Sequence, residues 1–367
     1  MSELADIFRD YGPAYRQKFA EQLLPSHRVA MQAIEQCRTA AMGGHVYDCK
    51  HCQATDYSYH SCQNRHCPKC QQQSTEQWLA RQQDFLLPSR HFMVTFTLPA
   101  QLRTVVRSNQ KLLYNLLFRA SAAALQQLAR DPRFVGGQIG MIGLLHTWGR
   151  NLSFHPHVHY LVPAGGLAAD GQTWLPSRHN FLLPGEPLSI LFRAKFRDAL
   201  KKTKLFNLVP AQVWRQSWVV HCKAVGTGQQ TLDYLGRYLF RVAISNQRIE
   251  KLQNGRVTFR FKDTATAKTK RCTLSAEEFI RRFLQHVLPK GFVKVRYYGF
   301  FSPGQRQTLH KIRQGLVALQ LATAQAQSTP PPAPNPSPAA PEWTCPQCGR
   351  PMRLVGTLAP QKQGRPP

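Results

Sequence analysis

Residues 154–162 read FHPHVHYLV and set His157 and His159 on either side of one valine in a strand-like segment. Side chains at positions i and i+2 of a β-strand lie on the same face of a sheet. The two imidazoles are therefore predicted to bind one metal ion together. For an isolated pair, polar residues on an exposed strand face would be the simpler explanation. Here four histidines fall within 14 residues of a basic chain, which favours a metal site.

A divalent metal held by two neutral imidazoles needs a third protein ligand and open positions for a phosphate oxygen and water. The best candidate is His146, which ends the preceding predicted strand, because a tight turn would fold it back beside His157. His155 shares the face of the pair, although Pro156 disturbs the strand there. His221, in another predicted strand, is a further alternative, and the residues alone leave all three open.

Further along the chain, Tyr234 and Tyr238 are spaced i and i+4, which places them on one face of a predicted helix. Aromatic pairs at this spacing usually pack in a core. Arg237 and Arg241 interleave with them, however, and guanidinium groups make a poor core face but a good phosphate-binding one. A phenol has a pKa of about 10 and needs nearby positive charge to become a nucleophile. The pattern predicts attack on a phosphodiester beside a metal ion.

The charge of the chain supports that substrate. Its 367 residues include 48 Lys and Arg against 19 Asp and Glu, a net charge of +29, which favours nucleic acid as the partner. A membrane surface would also attract positive charge, but the sequence has no apolar window of about 18 residues. The first residues also lack the character of a signal peptide. We therefore expect a cytoplasmic DNA-binding protein with no membrane segment.

Ten cysteines in a reducing compartment are better explained as metal ligands than as disulfides. Two C-x-x-C pairs with 14 residues between them are predicted to share one tetrahedral zinc ion, although a metal-free thiol cluster is the alternative. The predicted ligands are Cys49, Cys52, Cys67 and Cys70. A possible second zinc, or a set of supporting donors, would use Cys37, His45, Cys62 and His66. Arg65 and Lys69 predict that this module contacts DNA, and a purely structural role is the alternative.

A third C-x-x-C pair, Cys345 and Cys348, follows a segment at 324–341 that contains seven prolines. Such a composition is typical of a semi-rigid linker. No cysteine or histidine follows the pair before Pro367. This half of a zinc site must therefore borrow ligands from elsewhere in the chain or stay free of metal.

The order of predicted helices and strands indicates an α+β fold with a largely antiparallel sheet rather than a doubly wound one. Four domains or segments are predicted. They are a helical, zinc-binding DNA-recognition domain at 1–90, a catalytic domain at 91–302, a helix with a proline-rich linker at 303–342, and a C-x-x-C knuckle with its tail at 343–367.

Four blocks of the sequence resemble the signature motifs of the insertion sequence ninety-one family of rolling-circle transposases. In chain order they read CQNRHCPKC at 62–70, LHTWG at 145–149, HPHVH at 155–159 and YLGRYLFRVAISN at 234–246. The resemblance implies an HUH endonuclease-like fold, with an antiparallel sheet that carries the metal site on its face. It also implies helices packed on that sheet and a small helical, zinc-ribbon-like domain before it.

By this resemblance, His157 and His159 match the HUH pair, and Tyr234 and Tyr238 match the nucleophiles of the two-tyrosine class. The spacing of His146 from His157 is similar to that in the three-histidine site of conjugative relaxases. The resemblance implies an enzyme that cuts and rejoins single-stranded or hairpin transposon ends through 5′-phosphotyrosine links. The resemblance also implies a catalytic Mg²⁺ or Mn²⁺ and a structural Zn²⁺. The alternatives are a non-enzymatic zinc-ribbon DNA-binding protein, and a replication initiator or relaxase with the same chemistry.

Overall fold

The computed structural model describes residues 2–71, 86–227, 230–231, 242–263, 266–324 and 343–361. It combines helices with antiparallel sheets, so the predicted α+β class is confirmed. The described helices are α1 (Leu4–Lys18), α2 (Pro25–Gln36), α3 (Arg103–Ser108), α4 (Gln110–Ala129), α5 (Gly185–Lys201), α6 (Ala276–Leu284) and α7 (Arg306–Ala324). None of these helices is long and apolar enough to cross a membrane.

Thirteen strands lie in the described part of the chain. They are β1 (Gly44–Asp48), β2 (Thr55–Tyr59), β3 (His91–Thr97), β4 (Met141–Trp148), β5 (Phe154–Pro163), β6 (Gly165–Leu167), β7 (Trp174–Pro176), β8 (Val219–Gly226), β9 (Ile249–Gln253), β10 (Arg256–Lys262), β11 (Thr269–Ser275), β12 (Val295–Tyr298) and β13 (Arg353–Leu358).

The central sheet has five strands in the order β12-β4-β5-β3-β8, and each neighbouring pair is antiparallel. One face packs against α4 and α5, because alternate residues of the inner strands are apolar. Phe96 and Tyr160 lie on this face, and the ring of Phe96 contacts Tyr160 and Phe192 edge to face, with centroids 5.8 and 5.0 Å away. This is the largest apolar cluster among the described residues.

Among the described residues, apolar side chains cover the opposite face of the sheet at one end. There Ile142 and Leu161 pack against Phe300 and Leu309, the latter from α7. Side chains alternate with a period of two, so the same face continues at His159 and His157 in β5 and at His146 in β4, which lies opposite His157. The apolar end therefore anchors the sheet, and the polar end is left for the site described below.

A second core joins the N-terminal helices to the region after residue 242. Phe8 of α1 contacts Phe283 of α6 edge to face at 5.3 Å between ring centroids, and Leu4 and Ile7 belong to the same cluster as Phe259 of β10. The strands β9, β10 and β11 form a three-stranded sheet beside these helices. This core contains residues from both sides of the predicted boundary at residue 90, so the domain limits stay a prediction.

The two ends of the described chain meet in one small sheet of order β13-β1-β2. β13 pairs antiparallel with β1, from Leu358 opposite Gly44 to Arg353 opposite Asp48. Just before it, the ring of Trp343 stacks on Tyr47 at 5.3 Å. The C-terminal segment thus contributes one strand, β13, to the sheet of the N-terminal module.

Candidate metal centres and nucleic-acid cleft

The three histidines favoured by the sequence come together on the polar face of the central sheet. His146 in β4 lies directly opposite His157 in β5, and His159 follows two residues further along β5. One ring nitrogen from each lies within 4.8 Å of the others, and the ring centroids are 4.8 to 5.4 Å apart. The hairpin predicted between the two strands is what brings His146 back beside the pair.

Hydrogen bonds fix the orientation of two of the rings. The Nδ1 of His157 lies 2.6 Å from the carbonyl oxygen of His155, an acceptor, so Nδ1 carries the proton and Nε2 is left with a lone pair. The Nδ1 of His159 lies 2.8 Å from the hydroxyl of Thr95 in β3. His146 stacks on Trp148, with centroids 4.7 Å apart. Such outer contacts are typical of histidines that bind a metal.

The protonation state of His157 suits the same role. Its enclosed position lowers its pKa to about 4, since burial disfavours the charged imidazolium. At neutral pH the ring is therefore neutral, as a metal ligand must be. Three imidazole nitrogens on one rigid face, with space in front of them, match a metal site that keeps positions open for other ligands.

The other two histidines proposed as third ligand lie near the group but outside it. His155 shares the face of β5, yet its Nδ1 accepts a hydrogen bond from Arg103 at 3.1 Å, and burial, with a smaller effect of the Arg103 charge, lowers its pKa. His221 in β8 lies opposite Thr95, on the far side of β3 from His159. Both line the same cleft, so each can contact a ligand that enters it.

This cleft has a volume of about 700 Å³ and a basic rim. The three histidines form its floor, and Arg150, Arg248 and Lys262 line its wall. The wall is held in place by hydrogen bonds between the β4–β5 turn and the sheet of β9–β11. Arg150 donates to the carbonyl of Lys262 at 3.2 Å, and Arg248 donates to the carbonyls of Arg260 and Arg150. An anionic chain would therefore find cations directly beside the histidines.

The predicted nucleophiles Tyr234 and Tyr238, with Arg237 and Arg241, lie outside the described residues. The chain on either side is described. Thr231 follows β8, and its hydroxyl donates to the carbonyl of Gly226 at 3.1 Å. Val242 and Ala243 line a small cavity together with Trp148, the residue that stacks on His146. Val242, the first described residue after the tyrosines in the chain, therefore lies near Trp148 and the histidine cleft.

Eight cysteines form two groups of four, and the predicted pairing of ligands is wrong. One group is Cys37, Cys62, Cys67 and Cys70, and the other is Cys49, Cys52, Cys345 and Cys348. The reason is the β1–β2 hairpin, which separates the two C-x-x-C pairs. Cys49 and Cys52 lie at its tip and Cys37 and Cys62 beyond its open end, so five residues of strand, about 17 Å, hold them apart.

Both groups have the dimensions of a closed zinc site. A tetrahedral zinc with Zn–S bonds of about 2.3 Å requires sulfur–sulfur distances of about 3.8 Å. In the first group, Cys70 lies 3.5 Å from Cys37 and 3.6 Å from Cys62. Cys62 lowers the pKa of the Cys37 thiol, and Cys37 in turn raises the pKa of Cys62. Four thiolates at this distance repel one another unless a cation lies among them.

The histidines proposed for a second zinc have other partners. The Nε2 of His66 accepts the backbone N–H of Leu288 at 3.2 Å, and burial lowers its pKa to about 3. The ring of His45 contacts His60 edge to face at 4.9 Å. Neither belongs to a four-ligand group among the described residues. The sequence predicted histidine ligands for a second zinc because it did not show that Cys37 and Cys62 supply the remaining two ligands beside Cys67 and Cys70.

The two cations predicted to contact DNA from this module are engaged within the protein. The guanidinium of Arg65 donates to the carbonyls of Phe292 and Pro289, the latter at 2.9 Å. The ammonium of Lys69 forms an ion pair with Glu3 at 2.6 Å. These contacts favour a structural role, and DNA contact by either side chain stays a prediction.

Sequence reasoning missed two parts of the cleft. Thr95 has no motif of its own and is found only through strand register. The basic wall comes from Arg150, Arg248 and Lys262, which are far apart in the sequence. The sequence of β10 indicated part of this wall, because a strand with Arg256, Arg260 and Lys262 is too basic to be buried on both faces.

Comparisons with known proteins agree with this architecture. A family model described as "Transposase zinc-binding domain" matches residues 7–98, and one described as "Putative transposase" matches residues 140–308. Over 332 residues, the chain is 44% identical to "Putative transposase y4qJ" of Sinorhizobium fredii, covering 85% of this chain and 83% of that protein. Over 293 residues, it is 33% identical to the transposase for insertion sequence element IS801 of Pseudomonas savastanoi pv. phaseolicola, covering 72% and 68%. No solved structure matches the chain.

The fold, the cysteine groups and these matches define a transposase, a nucleic-acid-processing enzyme whose partner is DNA and whose N-terminal region binds structural zinc. The chain belongs to the IS91 family of transposases. This membership favours the enzyme over the non-enzymatic zinc-ribbon protein and over a replication initiator.

Proposed function

We propose that the chain is an HUH-type single-strand endonuclease and strand transferase that moves its element by rolling-circle transposition through 5′-phosphotyrosine links. The observation that carries this proposal is the group formed by His146, His157 and His159 on the floor of a cleft with a basic rim. Three nitrogen ligands and an accessible space are what a metal needs if it is to contact a scissile phosphate.

The residues present fit a catalytic Mg²⁺ or Mn²⁺. Imidazole nitrogens suit Mn²⁺ better than Mg²⁺, which prefers oxygen ligands, and the free cleft leaves room for phosphate oxygens and water. When bound, the ion would neutralise charge on the scissile phosphate. His157 is kept in the tautomer that presents Nε2 by its bond to the His155 carbonyl, and a hydrogen bond between the Thr95 hydroxyl and Nδ1 of His159 orients that ring.

Tyr234 and Tyr238 are the proposed nucleophiles. The phenolic oxygen of one tyrosine attacks the phosphorus, the bond from phosphorus to the 3′ oxygen breaks, and the proton lost by the phenol is matched by the one gained by the released 3′-OH. The phosphodiester energy stays in the tyrosine link, so a 3′-OH from another strand can reverse the step without a nucleotide cofactor. Two tyrosines allow two strands to be held at once.

The cations of the wall are proposed to hold the strand. Arg150 and Arg248 are fixed by their backbone hydrogen bonds, and Lys262 is exposed at the end of β10. A cleft of this kind fits a single strand better than a rigid duplex, because the scissile phosphate must reach the floor of the cleft. Hairpin or single-stranded transposon ends are therefore the proposed substrate.

The test uses single-stranded DNA that covers the ends of the element, labelled in separate samples at the 5′ or the 3′ end. With Mn²⁺, the 3′-labelled fragment should run with the protein on a denaturing gel, and the 5′-labelled fragment should be released with a free 3′-OH. Either single variant, Tyr234→Phe or Tyr238→Phe, should still form some adduct, and the double variant none.

Phe keeps the aromatic ring and removes only the hydroxyl. The matched control is Tyr57→Phe, which changes an exposed tyrosine of β2 and should leave the adduct unchanged. An adduct that persists in the double variant would place the nucleophile elsewhere and remove the assigned mechanism. If the 5′-labelled fragment ran with the protein instead, the tyrosine would be linked to the 3′ side of the break, contrary to the 5′-phosphotyrosine link proposed here.

A further inference from the structure

Cys345 and Cys348, the C-terminal pair, contact the N-terminal pair Cys49 and Cys52 directly. The Sγ of Cys49 lies 3.6 Å from that of Cys348, and the Sγ of Cys52 lies 3.5 Å from that of Cys345. All four sulfurs lie within 4.8 Å of one another. Cys49 and Cys345 are buried, and the other two lie nearer the surface. The matching zinc-binding family model ends at residue 98 and does not include the second pair.

The two pairs are built as copies of one turn. The backbone N–H of Gln53 donates to the carbonyl of Cys49 at 2.9 Å, and that of Gly349 donates to the carbonyl of Cys345 at 2.8 Å. The N–H groups of the two leading cysteines close the turns in the same way, on the carbonyls of Ala54 and Arg350, at 2.9 and 2.8 Å.

The residue after each second cysteine has the same unusual backbone. Gln53 has φ of 58° and Gly349 has φ of 70°, the left-handed region that is strained for glutamine. In each turn, backbone N–H groups also point at the leading sulfur, that of Cys49 or Cys345. A pair of matched knuckles that face each other is the geometry of a four-cysteine zinc site.

Apolar packing cannot explain why the C-terminal segment stays on the N-terminal module. Leu354 and Val355 of β13 are 50% and 51% exposed, and the described segment after the linker is only residues 343–361. A unit of this size has too little core to fold by apolar burial alone, and small domains of this kind usually depend on a metal. The stack of Trp343 on Tyr47 and its hydrogen bond to Asp56 at 2.9 Å add a local contact.

We propose that Cys49, Cys52, Cys345 and Cys348 bind a second structural zinc ion that joins the two ends of the chain into one composite zinc ribbon. The first pair comes from the tip of the β1–β2 hairpin and the second from the turn before β13. Zinc closes the ribbon and keeps β13 paired to β1. The site is separate from the group of Cys37, Cys62, Cys67 and Cys70, and it requires no contribution from the histidine cleft.

The test counts zinc in the full chain by elemental analysis and by native mass spectrometry. The wild-type protein should hold two zinc ions per chain, and the variant Cys345→Ser/Cys348→Ser should hold one. Serine has nearly the volume of cysteine but is a poor zinc ligand. The matched control is Cys222→Ser, a cysteine of β8 outside both groups, which should keep two. The single variant Cys348→His keeps Cys345 and offers an imidazole in place of one thiolate, so it should still bind two zinc ions per chain.

Proteolysis tests whether the second zinc keeps β13 paired to β1, which a zinc count does not show. Arg353 lies at the start of β13 and precedes Leu354, so trypsin should cut after it faster in the double serine variant than in the wild type. A wild-type count of one, or a double variant that retains two, would overturn the proposal. A variant with none would show that the two groups do not bind metal independently, and would overturn it as well. None of these measurements depends on DNA cleavage, so they stand apart from the proposed reaction.

Discussion

The histidine cleft and the cysteine groups differ in how their ligands are supplied. His146, His157 and His159 project from two neighbouring strands of a sheet whose other face is packed with apolar residues, and the space in front of them is open. The cysteines lie on short turns that face each other, and each group has four sulfurs. A sheet face presents ligands on one side of a metal only, whereas paired turns surround it.

This difference is the basis for proposing two uses of metal in one chain. Three ligands on a rigid face leave positions for a substrate, which is the condition for catalysis, and four thiolates leave none, which is the condition for a structural site. Stability at the cleft comes from the sheet and does not require the metal. At the cysteine groups we expect the metal itself to hold the fold, so removing ligands at the two places should have opposite consequences.

The largest effect is expected at the cleft. His157→Ala or His159→Ala should reduce formation of the covalent DNA adduct by about 10²-fold to 10³-fold or more, since the charge that stabilises the transition state is lost. Binding of single-stranded DNA should stay within about tenfold, because affinity comes mainly from phosphate contacts by Lys and Arg. Adduct yield with Mn²⁺ and a fluorescence binding assay measure the two quantities.

His221→Ala is the matched control, since it removes an exposed imidazole from the same cleft but outside the three-ligand group. This variant should form far more covalent adduct than His157→Ala or His159→Ala. If His146→Ala keeps normal Mn²⁺-dependent activity, the third ligand is His155 or His221. An equal loss of binding and cleavage in His157→Ala would argue against a catalytic site.

At the first cysteine group the expected loss is one of structure. Cys67→Ser should lower the zinc content by one ion per chain and make the N-terminal region sensitive to protease, because binding of structural zinc is coupled to folding and contributes on the order of 10 kcal/mol in zinc-finger peptides. Thermal unfolding and elemental analysis measure both. Cys272→Ser, outside both groups, is the control. An unchanged zinc content in Cys67→Ser would contradict the assignment.

A smaller effect tests how well the sheet orients its ligands. Thr95→Val removes the hydroxyl 2.8 Å from Nδ1 of His159 and should weaken Mn²⁺ binding by about 10-fold to 100-fold, the usual cost of losing such a partner. Isothermal titration with Mn²⁺ measures it. Thr97→Val is the matched control two residues along β3, opposite His157, whose Nδ1 is already bonded to the His155 carbonyl. Equal losses in both variants would show that Thr95 acts only through packing.

The sequence predicted most where ligands are close together along the chain. Strand alternation is a local property, so the shared face of His157 and His159 followed from their spacing, and one tight turn was enough to favour His146. Thr95 escaped prediction because its position opposite His159 depends on which strands pair, and β3 is separated from β5 by α3, α4 and β4.

The zinc ligands show the same limit more sharply. The C-x-x-C spacing correctly predicted knuckles, but assigning two knuckles to one metal assumed that nothing rigid lies between them. The β1–β2 hairpin lies there, and it directs Cys49 and Cys52 away from Cys67 and Cys70. Cys345, the partner of Cys52, lies 293 residues further along the chain, and Cys348, the partner of Cys49, lies 299 residues further. The sequence showed only that Cys345 and Cys348 needed ligands from elsewhere.

The smallest expected effect concerns the wall of the cleft. Lys262→Ala removes one exposed cation beside the histidines and should weaken single-stranded DNA binding by a few-fold at moderate salt. Because each neutralised phosphate contributes about 0.7 to the salt slope of single-strand binding, the slope of log K against log salt should become shallower by about that amount. Lys202→Ala, which removes an exposed cation just after α5 on the opposite face of the sheet, should leave the slope unchanged. If both variants lose the same affinity and slope, the strand is attracted by the net charge of the protein as a whole. If only Lys262→Ala changes the slope, a phosphate lies at the wall beside the metal ligands, which an open catalytic site requires and a closed structural site does not.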